Sequence, residues 1–347
     1  MGKGLRNERK NRPQVLAQLL PAMPQGCKLA EMEVKILGSA AGGAFPQWNC
    51  ACANCRRVRA GTFSGKPRSQ TQVAVSQDGR SWFLLGASPD LRTQIEATPE
   101  LHPHEGLRQS PIAGVALANA DLDHVLGLLL LRELQPLRVH ATASVRRILR
   151  EDNSMFAMLQ RVTNQIVWTD FATGKEFYLC NAEDEESGLR CCAWSLSTHY
   201  PAYVAAERRE RLAAGEASLG FILDSDNEES RSKDSHSSLR LAYMPAVPQI
   251  DDALLEQLDR CDVLLFDGTF WSDDELIRVQ GSGQTALQMG HVPVESTLVK
   301  LAGVRCPRKI FLHINNTNPM LDEASPQHRQ VRSAGWEIAE DGWQFNL

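Results

Sequence analysis

Residues 112–124 read Ile-Ala-Gly-Val-Ala-Leu-Ala-Asn-Ala-Asp-Leu-Asp-His, and an apolar run continues from Val125 to Leu131. The first seven residues, as far as Ala118, predict a buried strand because none of them carries a polar side chain. The later apolar run predicts a buried helix that extends to about Leu134. Four polar or ionisable side chains therefore stand in the turn between a strand and a helix.

The acids of this turn have two interpretations. Asp121 or Asp123 could cap the following helix, which stabilises a helix start by about 1 kcal/mol. Capping accounts for one acid, but it does not account for two acids followed by a histidine. Because Asp123 and His124 are adjacent, both side chains can face one point. We therefore favour a metal-binding or catalytic role for this turn.

Two further apolar strands end in side chains of the same kind. Val263–Phe266 leads into Asp267, and Lys309–Leu312 leads into His313. Open α/β sheets place their ligands at the carboxyl ends of such strands. Predicted strands come first in hairpins and later alternate with helices, an order that predicts one layered α/β unit.

The chain of 347 residues is long enough to bury a sizeable core. We predict a single domain over residues 32–347. Residues 1–31 have a basic start but no adequate apolar core or cleavage site, so they predict a disordered extension rather than a secretory signal. Residues 224–237 are polar and of low complexity, which predicts a flexible insert.

The composition excludes several classes of function. The formal net charge is −5, whereas a non-specific nucleic-acid binder carries a basic excess. No apolar run approaches the roughly 20 residues of a membrane-spanning helix. The nine cysteines are an odd number in a large chain without a secretory signal, which favours reduced thiols and a cytoplasmic location. We expect neither nucleic acid nor a membrane as a partner.

Three of the cysteines crowd into Cys50-Ala-Cys52-Ala-Asn-Cys55. Thiolates bind zinc tetrahedrally, and a bound ion would stabilise a loop that has little core of its own. The alternatives are a reduced cluster without metal and an iron–sulfur site. An iron–sulfur site uses four thiolates, and no fourth cysteine has the required spacing. We favour a structural zinc site.

The turn at Asn119–His124 resembles the His-x-His-x-Asp-His signature of the metallo-β-lactamase-like hydrolases, with Asn119 and Asp121 in place of the first two histidines. The glycine-rich stretch 38–43 resembles the turn after that family's first strand, and His313 resembles its last metal histidine. The resemblance implies an α/β fold, the four-layer αββα sandwich of that family.

A closer resemblance is to the coenzyme PQQ synthesis protein B family, over Met32 to the C-terminus with a break at the polar insert that begins at Asp224. The stretches that carry it are Leu37-Gly-Ser-Ala-Ala-Gly-Gly43, Pro46-Gln-Trp-Asn-Cys50, Ala87-Ser-Pro-Asp90, Leu265-Phe-Asp-Gly-Thr269, Met289-Gly-His291 and His313-Ile-Asn-Asn-Thr-Asn-Pro319. Many specific stretches occur in the same order, so chance similarity is excluded.

Departures from the hydrolase pattern bear on the metal. The aspartate that hydrolases carry after the strand at residues 239–243 is replaced by a segment around Ala246. The resemblance thus implies that one metal site is lost and that the other keeps Asp123, His124 and His313. Two histidines and one carboxylate are the ligands of non-haem Fe(II) oxygenases, although zinc also tolerates them.

The family resemblance implies a role in making pyrroloquinoline quinone (PQQ) from a cross-linked glutamate–tyrosine unit, whose ring must gain oxygens. We therefore predict an Fe(II)- and O2-dependent hydroxylase that acts on a small-molecule or dipeptide-like precursor. Other PQQ synthesis proteins are its expected partners, and homo-oligomerisation is left open. The alternatives are a carrier that helps move PQQ or its precursor to the periplasm, and a zinc hydrolase with a second metal held by Asp121, Asp267 and His199.

Further residues are assigned from the same resemblance. Asp121 is a predicted catalytic acid and Asp267 a predicted metal ligand, although either could instead orient the histidines. His291 is a predicted proton shuttle, with a structural histidine as the alternative.

Two arginines and an asparagine complete the predicted site. Arg68 and Arg92 are predicted contacts of the substrate carboxylates, with exposed solvated arginines as the alternative. Related hydrolases take their fourth zinc ligand three residues after the last metal histidine. That position is Asn316, a weak zinc ligand, so the fourth ligand is left open.

Overall fold

The computed structural model describes residues 32–104, 106–225 and 239–347. The predictions for residues 1–31 and for the insert at 224–237 lie outside these ranges, except that Asp224 and Ser225 end a strand. The strands are β1 Glu33–Gly38, β2 Gln72–Ser76, β3 Trp82–Leu85, β4 Ile112–Ala116, β5 Leu137–Ala141, β6 Ile166–Asp170, β7 Glu176–Cys180, β8 Glu186–Ser197, β9 Ser218–Ser225, β10 Arg240–Met244, β11 Val263–Asp267, β12 Arg308–Leu312, β13 Trp336–Ile338 and β14 Trp343–Asn346.

The α-helices of the described residues are short. They are α1 Ala53–Arg59, α2 Leu91–Glu96, α3 Leu122–Val125, α4 Ala143–Arg147, α5 Ala206–Arg209, α6 Asp252–Leu258, α7 Glu275–Gln280, α8 Val294–Lys300 and α9 Pro326–Ser333. None of the helices in these ranges is long and apolar enough to span a bilayer.

Two seven-stranded mixed sheets form the centre of the fold. The first has the order β14-β1-β2-β3-β4-β5-β6, and its strands are antiparallel up to β3 and parallel from β3 to β6. The second has the order β13-β12-β11-β10-β9-β8-β7, with β13 to β10 parallel and the remaining strands antiparallel.

Successive residues of a strand face opposite sides of its sheet, and this alternation separates the core between the sheets from the outer cores. In β10, Leu241 and Tyr243 face the core between the sheets, whereas Ala242 and Met244 face an outer core that also contains Leu254 of α6. A second outer core covers the other sheet with residues of α2, α3 and α4. Because apolar residues of both sheets are buried on both faces, helices must cover each outer face. The predicted αββα sandwich is confirmed.

The predicted apolar helix from residue 125 to about residue 134 is wrong. The α-helix ends at Val125, a 3₁₀ helix covers Leu126–Leu131, and Leu134 has a positive φ of 65°. Gly127 lies so close to the backbone of Ala87 that an added Cβ would clash, and its N–H donates to the Ala87 carbonyl. This tertiary contact outweighs the local preference of a leucine run for the α-helix.

The fold brings the polar strand ends to one edge. The parallel strands β11 and β12 end at Asp267 and directly before His313. The turn after β4 reaches the second sheet through a bridge between Asn119 and Ser218. Side chains of both sheets therefore meet at the mouth of the sandwich.

Candidate metal centre

The turn after β4 does not use Asp121 as a capping side chain. Asp121 is the residue before α3, but its carboxylate makes no capping hydrogen bond. Its backbone N–H donates to Oδ1 of Asn119 at 3.1 Å, and its carbonyl accepts from the N–H of His124 at 2.9 Å. These bonds fix the turn, so that Asp123 and His124 lie in the short helix that follows.

Asp123, His124 and His313 form one group of possible metal ligands, with all ligand atoms within 4.8 Å of one another. Oδ2 of Asp123 lies 3.5 Å from Nε2 of His313 and 3.8 Å from Nε2 of His124. Both histidines are buried, and their ring centroids are 5.4 Å apart. The three predicted ligands are thus brought together from two different sheets.

The hydrogen bonding of His313 tests whether this group fits a metal. Its Nδ1 lies 2.8 Å from Oγ1 of Thr269, and the hydroxyl donates onward to Oδ1 of Asp267 at 2.7 Å. His313 must therefore carry its proton on Nδ1. Its Nε2 is buried without a hydrogen-bond partner among the described residues. A buried lone pair beside a carboxylate is costly alone, but it suits a bound cation.

The protonation states of the group also suit a cation. Burial opposes ionisation of Asp123, but His124 and His313 outweigh it and hold the pKa of this carboxyl well below its usual range. Burial lowers the pKa of His124. An ionised carboxylate and a neutral imidazole are the forms that bind metals. Burial and the charge of Asp123 raise the pKa of the neighbouring Asp121 to about 6.

Asp267 and His291 form a pair directly behind His313. Nδ1 of His291 lies 2.8 Å from Oδ2 of Asp267, which also accepts from the N–H of Val247 at 2.9 Å. Burial disfavours the charged forms, but the attraction between the two groups outweighs it, raising the pKa of His291 and lowering that of Asp267. Asp267, His291 and His313 also lie close enough together to form a second group of possible metal ligands.

Both oxygens of Asp267 are already used. Oδ1 accepts from the N–H and from the hydroxyl of Thr269, at 3.0 and 2.7 Å, and Oδ2 accepts from Val247 and contacts His291. The carboxylate is fully buried. These bonds favour the alternative in which Asp267 orients the histidines, and its role as a metal ligand stays a prediction.

Gly42 in the loop after β1 packs against the ligand group. A Cβ added to Gly42 would stand 3.0 Å from Oδ2 of Asp123. This close backbone approach explains the glycine at this position of the predicted turn. His313 has a φ of 56°, in the left-handed region that a non-glycine residue adopts only when its surroundings hold it there.

The cysteine cluster forms a third group of possible metal ligands. The sulfur atoms of Cys50, Cys52 and Cys55 lie within 4.8 Å of one another. The side-chain amide of Asn316 donates to these sulfurs at 3.1, 3.6 and 3.3 Å, respectively. Three converging thiols fit a structural zinc ion. The buried amide of Asn316 stands where a fourth ligand is needed, and turning it over would present its oxygen instead.

Hydrogen bonding distinguishes the thiols from one another. Burial works against a thiolate at Cys50, but bonds from Cys52 and the neighbouring groups outweigh it and lower the pKa of Cys50. Burial raises the pKa of the Cys55 thiol to about 11. The cysteines described by the structure, including these three, are all free of disulfide bonds.

Three other predicted residues are placed away from the ligand groups. Arg68 is buried, and its guanidinium donates to the hydroxyl of Ser39 at 3.1 Å. Arg92 is exposed on α2, and His199 is exposed with Nδ1 3.3 Å from the hydroxyl of Ser197. The described ligand groups contain none of the three. The substrate contacts of Arg68 and Arg92 stay predictions.

Two tyrosines near the site were not predicted. The hydroxyl of Tyr243 is buried without a partner among the described residues, and burial together with the Asp123 charge raises its pKa. Tyr203 donates to the carbonyl of Ala120, next to Asp121. Thr269 lies in one of the stretches that carry the family resemblance, but only the fold shows that its hydroxyl contacts two histidines. No sequence pattern distinguishes such residues from core positions.

Comparison with known proteins identifies the family. A model of the beta-lactamase superfamily domain matches residues 81–314, more than half of the chain. Coenzyme PQQ synthesis protein B of Methylobacterium sp. (strain 4-46) is 40% identical over 319 residues, which cover 91% of this chain and 100% of that protein. This chain belongs to the coenzyme PQQ synthesis protein B family. The family member of Azotobacter vinelandii is 38% identical over 318 residues, with coverage of 91% and 100%.

Solved structures agree with the membership of the PqqB family. The crystal structure of Zn²⁺-bound PqqB from Methylobacterium extorquens has a TM-score of 0.79 and 38% identity, and the match covers 91% of this chain and 100% of that one. A diphosphatase of the PhnP family gives a TM-score of 0.59 at 18% identity, covering 91% and 97%. This second likeness shows the fold alone. The predicted family and fold are confirmed.

Proposed function

We propose that the protein acts in PQQ biosynthesis as an Fe(II)- and O2-dependent hydroxylase of the tyrosine-derived ring of a Glu–Tyr precursor. The observation that carries the proposal is the group of Asp123, His124 and His313, in which Nε2 of His313 is buried, unpaired and aimed toward the carboxylate. Two histidines and one carboxylate, with coordination positions left for other ligands, are typical of non-haem iron oxygenases. The names of the relatives support the pathway.

Asp123, His124 and Nε2 of His313 would hold the iron. Bound Fe(II) would supply the site at which O2 and the substrate ring come together. Thr269 holds the His313 ring by its Nδ1, at 2.8 Å, and thereby presents Nε2. Gly42 leaves the room that the Asp123 carboxylate needs on the opposite side. The protein thus fixes the ligand geometry before the ion binds.

His291 is the proposed proton carrier of the site. Asp267 accepts from Nδ1 of His291 at 2.8 Å, which leaves Nε2 free to donate or accept a proton. The ring of His291 stacks on the ring of His313, with centroids 5.4 Å apart, so the proposed proton carrier lies beside a proposed iron ligand. Asp121 is proposed as a second acid because it lies next to Asp123 at the same mouth.

Zinc is proposed at Cys50, Cys52 and Cys55, with Asn316 facing the fourth position. The substrate is proposed to be a small molecule with several carboxylates, for which Arg92 on the surface offers a bidentate contact. Other proteins of PQQ synthesis would supply that precursor and receive its product. The cytoplasm stays the predicted location.

A zinc hydrolase is the second candidate, because Asp267, His291 and His313 also converge. It requires a second ion beside the first. The hydrogen bonds that occupy both oxygens of Asp267 disfavour this arrangement. The predicted second site with His199 is disfavoured too, since that ring is exposed and contacts Ser197.

Oxygen incorporation tests the proposal. Each hydroxylation adds one atom of O2 to a ring carbon, and the other atom leaves as water with two electrons and two protons. Protein loaded with Fe(II) without air is mixed with a glutamate–tyrosine substrate, ascorbate as the reductant and ¹⁸O2. We expect mass gains in units of ¹⁸O from the wild type and none from His124→Ala.

The exposed His104 offers a matched control, since His104→Ala should behave as the wild type. Lack of label despite one bound iron per chain would refute the hydroxylase. Substrate turnover with zinc and without O2 would favour the hydrolase. Tight binding of PQQ or its precursor that survives His124→Ala, without turnover, would favour the carrier.

A further inference from the structure

The loop from His313 to Asn318 joins the first group, Asp123, His124 and His313, to the cysteine cluster. His313 belongs to the first group, and the side chain of Asn316, three residues later, faces all three sulfurs of the cysteine cluster. The loop is therefore shared by both groups. The position of one group constrains the position of the other.

Side chains of the segment from Cys50 to Cys55 bind the backbone of this loop. Nδ2 of Asn54 donates to the carbonyl of Asn316 at 3.2 Å and to the carbonyl of Asn318 at 3.1 Å. The thiol of Cys52 also contacts the Asn316 carbonyl, at 3.8 Å. Asn54 lies between Cys52 and Cys55, so a metal that orders the cysteines would also hold Asn54 in place.

The same loop is bound to the elements that orient the histidines. Nδ2 of Asn318 donates to the carbonyls of Gly268 and Thr269 at 3.0 and 3.3 Å, and the N–H of Asn315 donates to the Thr269 carbonyl at 3.0 Å. The hydroxyl of Thr269 then contacts Nδ1 of His313 at 2.8 Å. Hydrogen bonds, linked through the covalent structure of Asn318 and Thr269, thus connect Asn54 with a ligand of the first group.

The loop after β1 binds the other side of the loop at residues 313–318. The N–H of Ala41 donates to the carbonyl of Ile314 at 2.9 Å, and the N–H of Ile314 donates to the carbonyl of Ser39 at 3.0 Å. Directly before Ile314, which makes both contacts, His313 has its left-handed φ of 56°. A non-glycine residue leaves that conformation when the contacts that hold it are loosened.

We propose that Asn54 is a positioning residue that couples the two metal sites. It holds the loop at residues 313–318 against the cysteine cluster, and it thereby fixes Nε2 of His313 for the metal of the first group. The coupling rests on the proposed function, since it requires a metal at Asp123, His124 and His313. Loss of metal from the cysteines would therefore weaken metal binding at His313, which lies 3 residues before Asn316. It would do so although no ligand of the first group is changed.

Cobalt and a chelator test the coupling in the full-length protein. Both sites are loaded with Co(II), and a chelator is added in steps. Thiolate-to-cobalt absorption in the near ultraviolet reports the cysteine cluster, while the electron paramagnetic resonance of cobalt bound only by oxygen and nitrogen reports the first group. Asn54→Ala should retain the thiolate absorption and lose cobalt from the first group at about tenfold lower chelator concentration.

Asn49→Ala is the matched control, because exposed Asn49 lies on the same segment and its Oδ1 accepts from Gln47 instead. Asn54→Gln keeps an amide donor and should recover part of the lost affinity. Cys50→Ser empties the cluster directly and should lower the affinity of the first group as Asn54→Ala does.

Three outcomes overturn the proposal. If the first group binds cobalt with equal affinity in Asn54→Ala, Cys50→Ser and Asn49→Ala, the coupling is refuted but the proposed function is not. A wild type that binds cobalt at the cysteines but none at the first group would refute the proposed function and the coupling together. Loss of the thiolate absorption in Asn54→Ala would show that Asn54 serves only the fold of the cluster.

Discussion

Thr269 contacts three functional side chains with one hydroxyl group. Its Oγ1 lies 2.8 Å from Nδ1 of His313, 3.1 Å from Nδ1 of His291 and 2.7 Å from Oδ1 of Asp267. The hydroxyl proton goes to the Asp267 carboxylate, and Nδ1 of His291 also bonds that carboxylate, so the hydroxyl oxygen accepts from Nδ1 of His313. Thr269 therefore selects the tautomer in which Nε2 of His313 carries the lone pair.

Removing this hydroxyl should weaken metal binding. Thr269→Val keeps the side-chain shape, and we expect the affinity of the first group for Fe(II) to fall about tenfold because the His313 ring loses its anchor. Anaerobic titration with Fe(II) measures the change. Thr297→Val is the control, since Thr297 is also buried and its hydroxyl has no partner among the described residues. Equal affinities in the two variants would contradict the anchoring role.

His291→Ala should separate proton transfer from metal binding. His291 bonds Asp267 rather than occupying the first group, so we expect retained iron and a turnover number lower by at least about 100-fold. Iron analysis beside single-turnover hydroxylation measures both quantities. Loss of the iron together with the activity would show instead that His291 is a ligand.

At the residue scale, sequence patterns indicate side chains whose type suggests a chemical role. They do not indicate residues whose role depends on contacts with distant parts of the chain. Asp123, His124 and His313 could be named from their place after apolar strands and from the family resemblance. Thr269 and Asn54 could not, because a threonine or an asparagine in a turn is common for reasons of local structure. Only the fold shows which atoms they contact.

At the scale of elements, strands with a clear pattern were predicted well. The predicted strand at residues 309–312 matches β12 with one residue added at its start, and the predicted strand at residues 263–266 matches β11 with one residue added at its end. β9 was missed. All eight of its residues are buried, and a continuous apolar run does not distinguish a strand from a helix.

His140 of β5 makes the contact between β5 and β7 sensitive to acid. Its Nε2 lies 3.2 Å from the backbone nitrogen and 3.1 Å from the backbone oxygen of Cys180, and burial lowers its pKa from 6.5 to about 4. Between these two values the unfolded chain binds more protons than the folded protein. The free energy of unfolding should therefore fall as the pH drops from 6.5 to 4, by about 3 kcal/mol for this residue.

Urea unfolding at several pH values measures this loss. His140→Gln keeps a hydrogen-bonding side chain but cannot titrate, so its free energy of unfolding should depend less steeply on pH than that of the wild type. His104→Gln, at an exposed histidine, serves as the control. Identical slopes for wild type and His140→Gln over this range would contradict the assignment.

At the scale of the whole molecule, the sandwich brings the proposed iron ligands and the cysteine cluster, both possible metal sites, to loops at one edge. Its architecture followed from the family resemblance, and the relatives and the layers confirm it. The proposed coupling of the two sites could not be predicted from the sequence, because it rests on hydrogen bonds to the backbone carbonyls of residues 316 and 318. Carbonyl groups are common to every residue, so no sequence pattern marks them.

The central claim is a mononuclear iron centre held by Asp123, His124 and His313. Anomalous diffraction at the iron edge, on crystals loaded with Fe(II) without air, tests it most directly. We expect one iron peak within bonding distance of the Asp123 carboxylate and of Nε2 of both histidines, and none at the cysteine cluster. A peak bound by Asp267 and His291, or two peaks at this edge of the sandwich, would contradict it.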